Sequence, residues 1–483
     1  MLSETGVKYP IVDTGQERFF GNTTEIVQPS AGNPFYGQDA EYLGLQPAFQ
    51  DNGDGTVADL NTGLMWQKTP DLDNQSTFDV ALPGAGTLRL AGYSDWRLPT
   101  IKELYSLIDF KGSSFSRVPY IDTDYFDFRF GDESAGERLI DAQYWSSTEY
   151  VGTTMNGDAT VFGVNFADGC IKGYPRDIGP GGLPATHFVR YVRGNPDYGV
   201  NNFLGLGDGT ITDIATGLQW QKSDDGVARN WEEALGYAES LTLGGYDDWR
   251  LPNAKELQSL LDYSKAPDAT DPARRGPAIN TDFFQLTEPE SWFWTGTTHL
   301  DAPNPNFAVY ICFGQAYGYM TDPFGNTNYM NVHGAGAQRS DPKSGDPQDW
   351  AGGHGPQGDE VRIYNYARCV RGGEVSTLGL NHEDPSEVPS TFELGQNYPN
   401  PFNPGTTIPF SVPESGRVTL KVFNLLAQEV ATLLDEFHEA GDGSVVFNPR
   451  EANVQGSGLP SGVYFYRLTA GDLVETRRMV LLQ

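Results

Sequence analysis

Cysteine is scarce in this chain of 483 residues: Cys170, Cys312 and Cys369 are its three thiols. A disulfide-stapled scaffold is thereby excluded, because such folds replace a small core with many cross-links. Basic residues are short as well, with 32 Lys and Arg against 64 Asp and Glu and a net charge of −32. That balance disfavours nucleic acid and anionic membrane as partners. No apolar run approaches the roughly 20 residues that cross a bilayer as a helix. The opening Met1-Leu-Ser-Glu-Thr5 has neither the basic nor the apolar region of a secretory signal. Catalytic signatures are missing too. There is no G-x-S-x-G, H-E-x-x-H or phosphate-binding glycine loop, and the six histidines show no ligand spacing. The expectation is a chain that binds and does not catalyse.

What the chain does have is a repeat. Leu90-Ala-Gly-Tyr-Ser-Asp-Trp-Arg-Leu-Pro-Thr100 returns as Leu243-Gly-Gly-Tyr-Asp-Asp-Trp-Arg-Leu-Pro-Asn253, 153 residues later. In each copy the proline ends an extended segment. Thr100 with Glu103, and Asn253 with Glu256, then form capping boxes that start a helix. Leu104, Leu107 and Ile108 line one face of the first helix, and Leu257, Leu260 and Leu261 one face of the second. Asp109 and Asp262 follow, and an ion pair with Arg97 or Arg250 is the expected reason both copies keep them. Upstream, Asp-Gly and Thr-Gly turns predict a hairpin in each copy. A helix capped by Asn230 and Glu233 follows in copy two, with Trp231, Ala234, Leu235 and Ala238 on one face; Pro83 and Gly84 shorten its counterpart. Tyr144-Trp-Ser-Ser-Thr148 matches Phe293-Trp-Thr-Gly-Thr297, and both copies close on Val-Arg-Gly. The repeated tryptophans Trp66, Trp96, Trp145, Trp220, Trp249 and Trp294 are expected in the core. Stretches near 168–186 and 321–360 read as long loops.

High glycine and proline content (57 and 32 residues) suits β-rich modules. Residues 1–50 read as an arm or lead-in strand, 51–198 and 199–375 as the two modules, 376–390 as a linker and 391–483 as a separate antiparallel sandwich. Asp51, Asp54, Asp59, Asp208 and Asp213 are the candidate calcium ligands, although the order of an EF-hand is not met and Asp-Gly turns explain them equally. Calcium is the one cofactor considered. Ligand candidates lie in the non-repeated part of copy two: Tyr317, Tyr319, Tyr329, His333 and Trp350.

The motifs Asp54-Gly-Thr-Val57, Thr62-Gly-Leu-Met-Trp66, Asp95-Trp-Arg-Leu-Pro-Thr100, Tyr144-Trp-Ser-Ser-Thr148 and the closing Val-Arg-Gly, in order and twice over, resemble the Lcl C-terminal-domain-like family. The resemblance implies an α+β fold of two tandem C-type-lectin-like modules, each a twisted antiparallel sheet with two helices. It also implies extracellular adhesion, with sulfated or other polysaccharides as ligands. Leu394-Gly-Gln-Asn-Tyr-Pro-Asn-Pro-Phe-Asn-Pro404, Leu459-Pro-Ser-Gly-Val-Tyr-Phe-Tyr466 and Arg477-Arg-Met-Val-Leu481 resemble the type IX secretion sorting domain, an immunoglobulin-like β-sandwich. That implies export through the periplasm, contact with the secretion machinery, and a place on or outside the cell. In an exported protein Cys312 and Cys369, expected on neighbouring strands, pair as a disulfide. The function expected is a surface adhesin that recognises polysaccharide, extracellular matrix or another surface. The alternative is a subunit of an extracellular filament made of copies of itself, with the arm adding a strand to a neighbour.

Overall fold

The computed structural model describes residues 8–179, 182–321 and 325–372. In the C-terminal part it describes 392–395, 397, 406–413, 415–424, 428–438, 440–447, 449, 459–471 and 473–481. The linker expected at 376–390 lies outside the described residues. The chain divides into two compact units, one spanning Val7–Glu374 and the other carrying Val375–Gln483.

Near the N-terminus, β1 (Phe19–Phe20) and β2 (Glu25–Ile26) form a short ladder. The predicted hairpins then form in both copies. In the first, β3 (Phe49–Asp51), β4 (Thr56–Asp59) and β5 (Leu64–Gln67) are closed by β9 (Val192–Gly194) into a four-stranded antiparallel sheet. In the second, β10 (Phe203–Gly205), β11 (Thr210–Asp213), β12 (Leu218–Gln221) and β18 (Val370–Arg371) repeat that order. The helices are short: α1 (Phe78–Gly84), α2 (Ile101–Ser106), α3 (Trp231–Glu239) and α4 (Ala254–Ser259). Complete capping boxes start α2, α3 and α4, as the sequence predicts. Pro83 inside α1 leaves it two residues shorter than α3. The six repeated tryptophans are all buried.

The expected pairing of Arg97 and Arg250 with Asp109 and Asp262 is not what forms. Arg97 and Arg250 instead make bidentate bonds to the capping glutamates Glu103 and Glu256, at 2.5 and 2.7 Å. The glutamate already faces inward to close its cap, so the guanidinium completes it there. Asp109 and Asp262 accept from the backbone two residues on, at Lys111 and Ser264.

The two copies do not hang as separate beads. In the first, β6 (Gln143–Glu149), β7 (Thr160–Asn165) and β8 (Cys170–Pro175) form an antiparallel meander. In the second, β13 (Trp292–His299) and β14 (Phe307–Cys312) pair in the same way, and β17 (Gln338–Pro342) flanks β14. β8 and β17 then join edge to edge, Ile171 opposite Gln338, giving one six-stranded sheet in the order β13-β14-β17-β8-β7-β6. Both joining strands fall in the stretches expected to be loops. At the joint Gly173 is required, since a Cβ there would meet Thr160 Cγ2 at 2.7 Å as well as the His333 carbonyl.

One apolar cluster runs through both copies, from Trp66, Leu104 and Phe162 to Trp220, Leu257 and Val309. The helices tie across it reciprocally. Lys102 Nζ donates to Ser259 O at the end of α4 (2.7 Å), and Lys255 Nζ to Ser106 O at the end of α2 (3.0 Å). Each is a cation on the negative end of the other copy's helix. Burial pulls both ammonium groups down to about 8.

The N-terminal segment is neither a free arm nor a simple lead-in strand to the first module. From residue 14 to 44 it runs as a strap across the second copy. It leaves at Asp13 and returns at Leu45, where Asp13 N donates to Leu45 O (2.7 Å) and the Asp13 carboxylate accepts from Gly44 N (2.7 Å). Gln16 brackets the Thr298 backbone, donating to its carbonyl (2.7 Å) and accepting from its N–H (2.8 Å). Asp39, on the buried side of the strap, accepts from Thr14 Oγ1 (2.7 Å) and Thr297 Oγ1 (2.5 Å).

The C-terminal unit holds two antiparallel sheets. One has β19 (Glu393–Leu394), β20 (Thr406–Val412) and β23 (Gly441–Phe447); the other has β21 (Gly416–Phe423), β22 (Glu429–His438), β24 (Gly462–Ala470) and β25 (Leu473–Leu481). Ile408 and Phe410 of the first share a core with Val418, Leu420, Val422 and Tyr466 of the second. Val418, Leu420 and Val422 alternate along β21 and so turn one apolar face inward.

Candidate functional site

Between β14 and β17 the second copy carries a hairpin with no counterpart in the first: β15 (Tyr317–Thr321) against β16 (Thr327–Asn331). Tyr319 lies directly opposite Tyr329, and Tyr317 opposite Asn331. Residues two apart on a strand share a face, so the three tyrosines form one surface. The rings of Tyr317 and Tyr329 stack, 4.9 Å apart and 12° from parallel, and Tyr319 meets Tyr329 at 5.1 Å. Tyr329 is 49% exposed.

A chain of polar contacts anchors this face to the core. Tyr317 Oη donates to Gln315 Oε1 (2.7 Å), and Tyr329 Oη to Glu360 Oε2 (2.9 Å). Arg362 donates to the same Glu360 oxygen (3.0 Å) and lies over the buried Trp292 ring at 3.7 Å. Tyr319 N donates to Gly358 O and Glu360 N to Tyr317 O. Burial, with Glu360 beside it, pushes the Tyr329 phenol up, so it stays neutral. Rigid neutral rings with fixed hydroxyls are suited to stacking on an apolar face and to hydrogen bonding at its rim.

The other two ligand candidates are not part of this face. His333 is buried; its Nε2 pairs with Asp359 Oδ1 (2.9 Å), while Arg339 donates to Asp359 Oδ2 (2.7 Å). Burial lowers the imidazole, and Arg339 and His333 hold the Asp359 carboxyl below the usual range despite its burial. Trp350 packs elsewhere, edge-on to Phe307 (6.0 Å) and His354 (5.4 Å).

Two further site expectations are corrected. The five aspartates do not converge. Asp51 holds Lys68 (2.6 Å), while Asp54 and Asp208 cap the turns at Thr56 and Thr210. Asp59 and Asp213 are buried and accept from the turn amides of Asn61 and Ala215. Their oxygens serve the Asp-Gly and Thr-Gly turns, and among the described residues no group of three or more His, Cys, Asp or Glu could hold a metal ion. Cys312 and Cys369 are free thiols, not a disulfide. Cys312 sits in the six-stranded sheet opposite Trp292; Cys369 leads into β18 of the other sheet, its N–H bound to Gln221 Oε1. Burial pushes both thiols up, so they pack as small neutral groups.

Sequence reasoning passed over the buried arginines. Arg190 and Arg368 each donate to three backbone carbonyls, Arg190 to Gln67, Lys68 and Asp127, and Arg368 to Gln221, Lys222 and Gln285. Their identical place in both copies was the available signal.

The family model of the Lcl C-terminal domain matches residues 55–193 and 209–332, more than half of the chain. The chain belongs to the Lcl C-terminal domain family. Behind its two Lcl domains, residues 396–482 match the secretion system C-terminal sorting domain. This sorting domain is of the type IX secretion kind, so the protein is exported to the cell surface or beyond it and meets the secretion machinery. Among the described residues no helix is long and apolar enough to cross a membrane. No curated protein gave a significant match. Two solved structures share local similarity. One is PorZ, an essential bacterial surface component of the type IX secretion system of Porphyromonas gingivalis, at 14% identity over 26% of this chain and 15% of that one, with TM-score 0.14. The other is dimeric latent PorU from Porphyromonas gingivalis, at 8% identity over 65% and 23%, with TM-score 0.18. The chain spans less than a quarter of either, and likeness at these scores carries no argument.

Proposed function

We propose that this Lcl-domain protein is a surface adhesin that recognises a neutral extracellular polysaccharide, in a binding role and not a catalytic one. The observation that supports it is the stacked, half-exposed face of Tyr317, Tyr319 and Tyr329 on a hairpin that only the second copy carries. Sugar rings present flat C–H faces that stack on such rings. With a net charge of −32 the chain repels polyanions, which favours neutral over sulfated glycans. We read the repeats as C-type-lectin-like and the tail as immunoglobulin-like. The filament reading rested on a free arm, and that segment is folded onto the second copy. The test is a broad glycan and matrix array probed with the full chain. Binding to neutral polysaccharides, weakened about tenfold or more by Tyr329→Ala or Tyr319→Ala, supports the reading. Absence of any binder, or binding indifferent to both substitutions, defeats it.

A further inference from the structure

The same groove occurs twice where the copies meet, covered at one place and open at the other. The strap lies in the one built on Arg250, Gly296 and Thr297 of the second copy with Asp109 and Phe110 of the first. Thr14 O accepts from Phe110 N (2.8 Å) and Asp39 takes the Thr297 hydroxyl, while Lys255 Nζ donates to Asp13 O (2.7 Å) just ahead of the strap, as Lys102 Nζ donates to Gly199 O (3.0 Å) at the other groove. The Tyr42 ring lies under the Arg250 guanidinium at 5.3 Å. Gly15 packs on Asp109, and the Gly37–Asp39 backbone packs on Gly296, where an added Cβ would stand 3.1 Å from Asp39 N.

Each of these groove positions has its repeat mate in a second groove: Tyr263 for Phe110, Lys102 for Lys255, Thr148 for Thr297, Arg97 for Arg250, Asp262 for Asp109 and Ser147 for Gly296, so each groove takes its walls from both copies. All six line a single open groove of about 600 Å³. The frame behind them is the same. A bulge interrupts β6 between Trp145 and Glu149 and β13 between Trp294 and Thr298. It aims Thr148 Oγ1 at Ile101 N (3.0 Å) as it aims Thr297 Oγ1 at Ala254 N (2.9 Å). Exposure records the difference: the Arg250 side chain is 4% exposed and that of Arg97 35%. No acceptor among the described residues takes the Thr148 hydroxyl proton or the Tyr263 N–H, whose mates are both satisfied by the strap.

We propose that the open groove, built on Arg97, Ser147 and Thr148 of the first copy with Asp262 and Tyr263 of the second, docks an extended peptide segment of a partner protein. That segment presents a carboxylate to Thr148, a backbone carbonyl to the Tyr263 N–H and an aromatic ring to Arg97, as residues 14–42 do one repeat away. Recognition of this kind fixes the backbone by hydrogen bonds and selects side chains by pockets. Ser147 marks one difference: its side chain keeps the partner's backbone farther off than Gly296 keeps Gln38 and Asp39. The inference is independent of the tyrosine hairpin, so failure of glycan binding leaves it standing.

The test titrates the full chain with a synthetic peptide of residues 9–45, the sequence already known to fit the mate groove. Saturable one-to-one binding is expected. Thr148→Val and Arg97→Ala each weaken it about fivefold or more, Ser147→Gly tightens it, and Thr297→Val leaves it unchanged. Absence of saturable binding to both the native chain and Ser147→Gly overturns the proposal. So does sensitivity to Thr297→Val in place of Thr148→Val, which would mean the peptide merely exchanges with the resident strap.

Discussion

Asp39 ties the strap down most firmly when it carries a proton. Burial, reinforced by the neighbouring Asp13 and Glu256 charges, holds its carboxyl at about 7 against 3.8 in the free chain, even though Thr14 and Thr297 donate to it. Between those values the docked strap keeps a proton that the undocked strap releases. Docking is therefore strongest below pH 4, weakens as pH rises, and has lost this contribution above pH 7. The whole window is worth at most about 4 kcal/mol, and the part from pH 5 to 8 about a hundredfold in the opening equilibrium. Amide hydrogen exchange at Phe110 and Thr298 reads that opening directly, because Thr14 O and Gln16 Oε1 accept from those two amides. After correction for intrinsic exchange, opening at pH 8 should exceed that at pH 5 by roughly that hundredfold. Asp39→Asn should abolish the dependence. A flat profile in the native protein, or an equal slope in the Asn variant, would refute the reasoning.

Arg250→Ala should cost about 3–5 kcal/mol by stranding Glu256 under the strap, while Arg97→Ala, which removes a guanidinium that is 35% exposed at the open groove and leaves a space that water can enter, should cost about 1–2; chemical denaturation of both variants checks the order. Reductant should leave the melting temperature unchanged, and thiol reagents should label Cys170, Cys312 and Cys369 only after unfolding, since all three are buried and free. A reductant-sensitive transition would restore the disulfide. Glycan binding, where found, should be insensitive to calcium chelation, because the candidate aspartates are committed to turns.

Local signals were legible wherever chemistry acts over a few residues. The capping boxes at Thr100, Asn230 and Asn253, the Asp-Gly hairpins and the shortened helix at Pro83 all stand where sequence placed them. The joint between the copies was not legible. Its strands, Cys170–Pro175 and Gln338–Pro342, are short, proline-ended and without alternation, because each is buried by the other and by both copies at once. The strap was missed for a related reason. It carries no apolar pattern to read, because the polar residues Thr14, Gln16 and Asp39 anchor it, each buried against backbone or hydroxyl groups of the second copy or of the strap itself. The tyrosines were found because they lie in the part of copy two that has no counterpart in copy one; His333 was misjudged because a partner 26 residues away, Asp359, takes it inside.

Calorimetry of the full chain tests the central claim, that the two Lcl copies are one structure sharing a sheet, a core and reciprocal lysines. Two unfolding transitions are expected, one for Val7–Glu374 and one for the sorting domain, with Lys102→Ala shifting the whole of the first. Three transitions, with Lys102→Ala moving only one of two Lcl peaks, would contradict it.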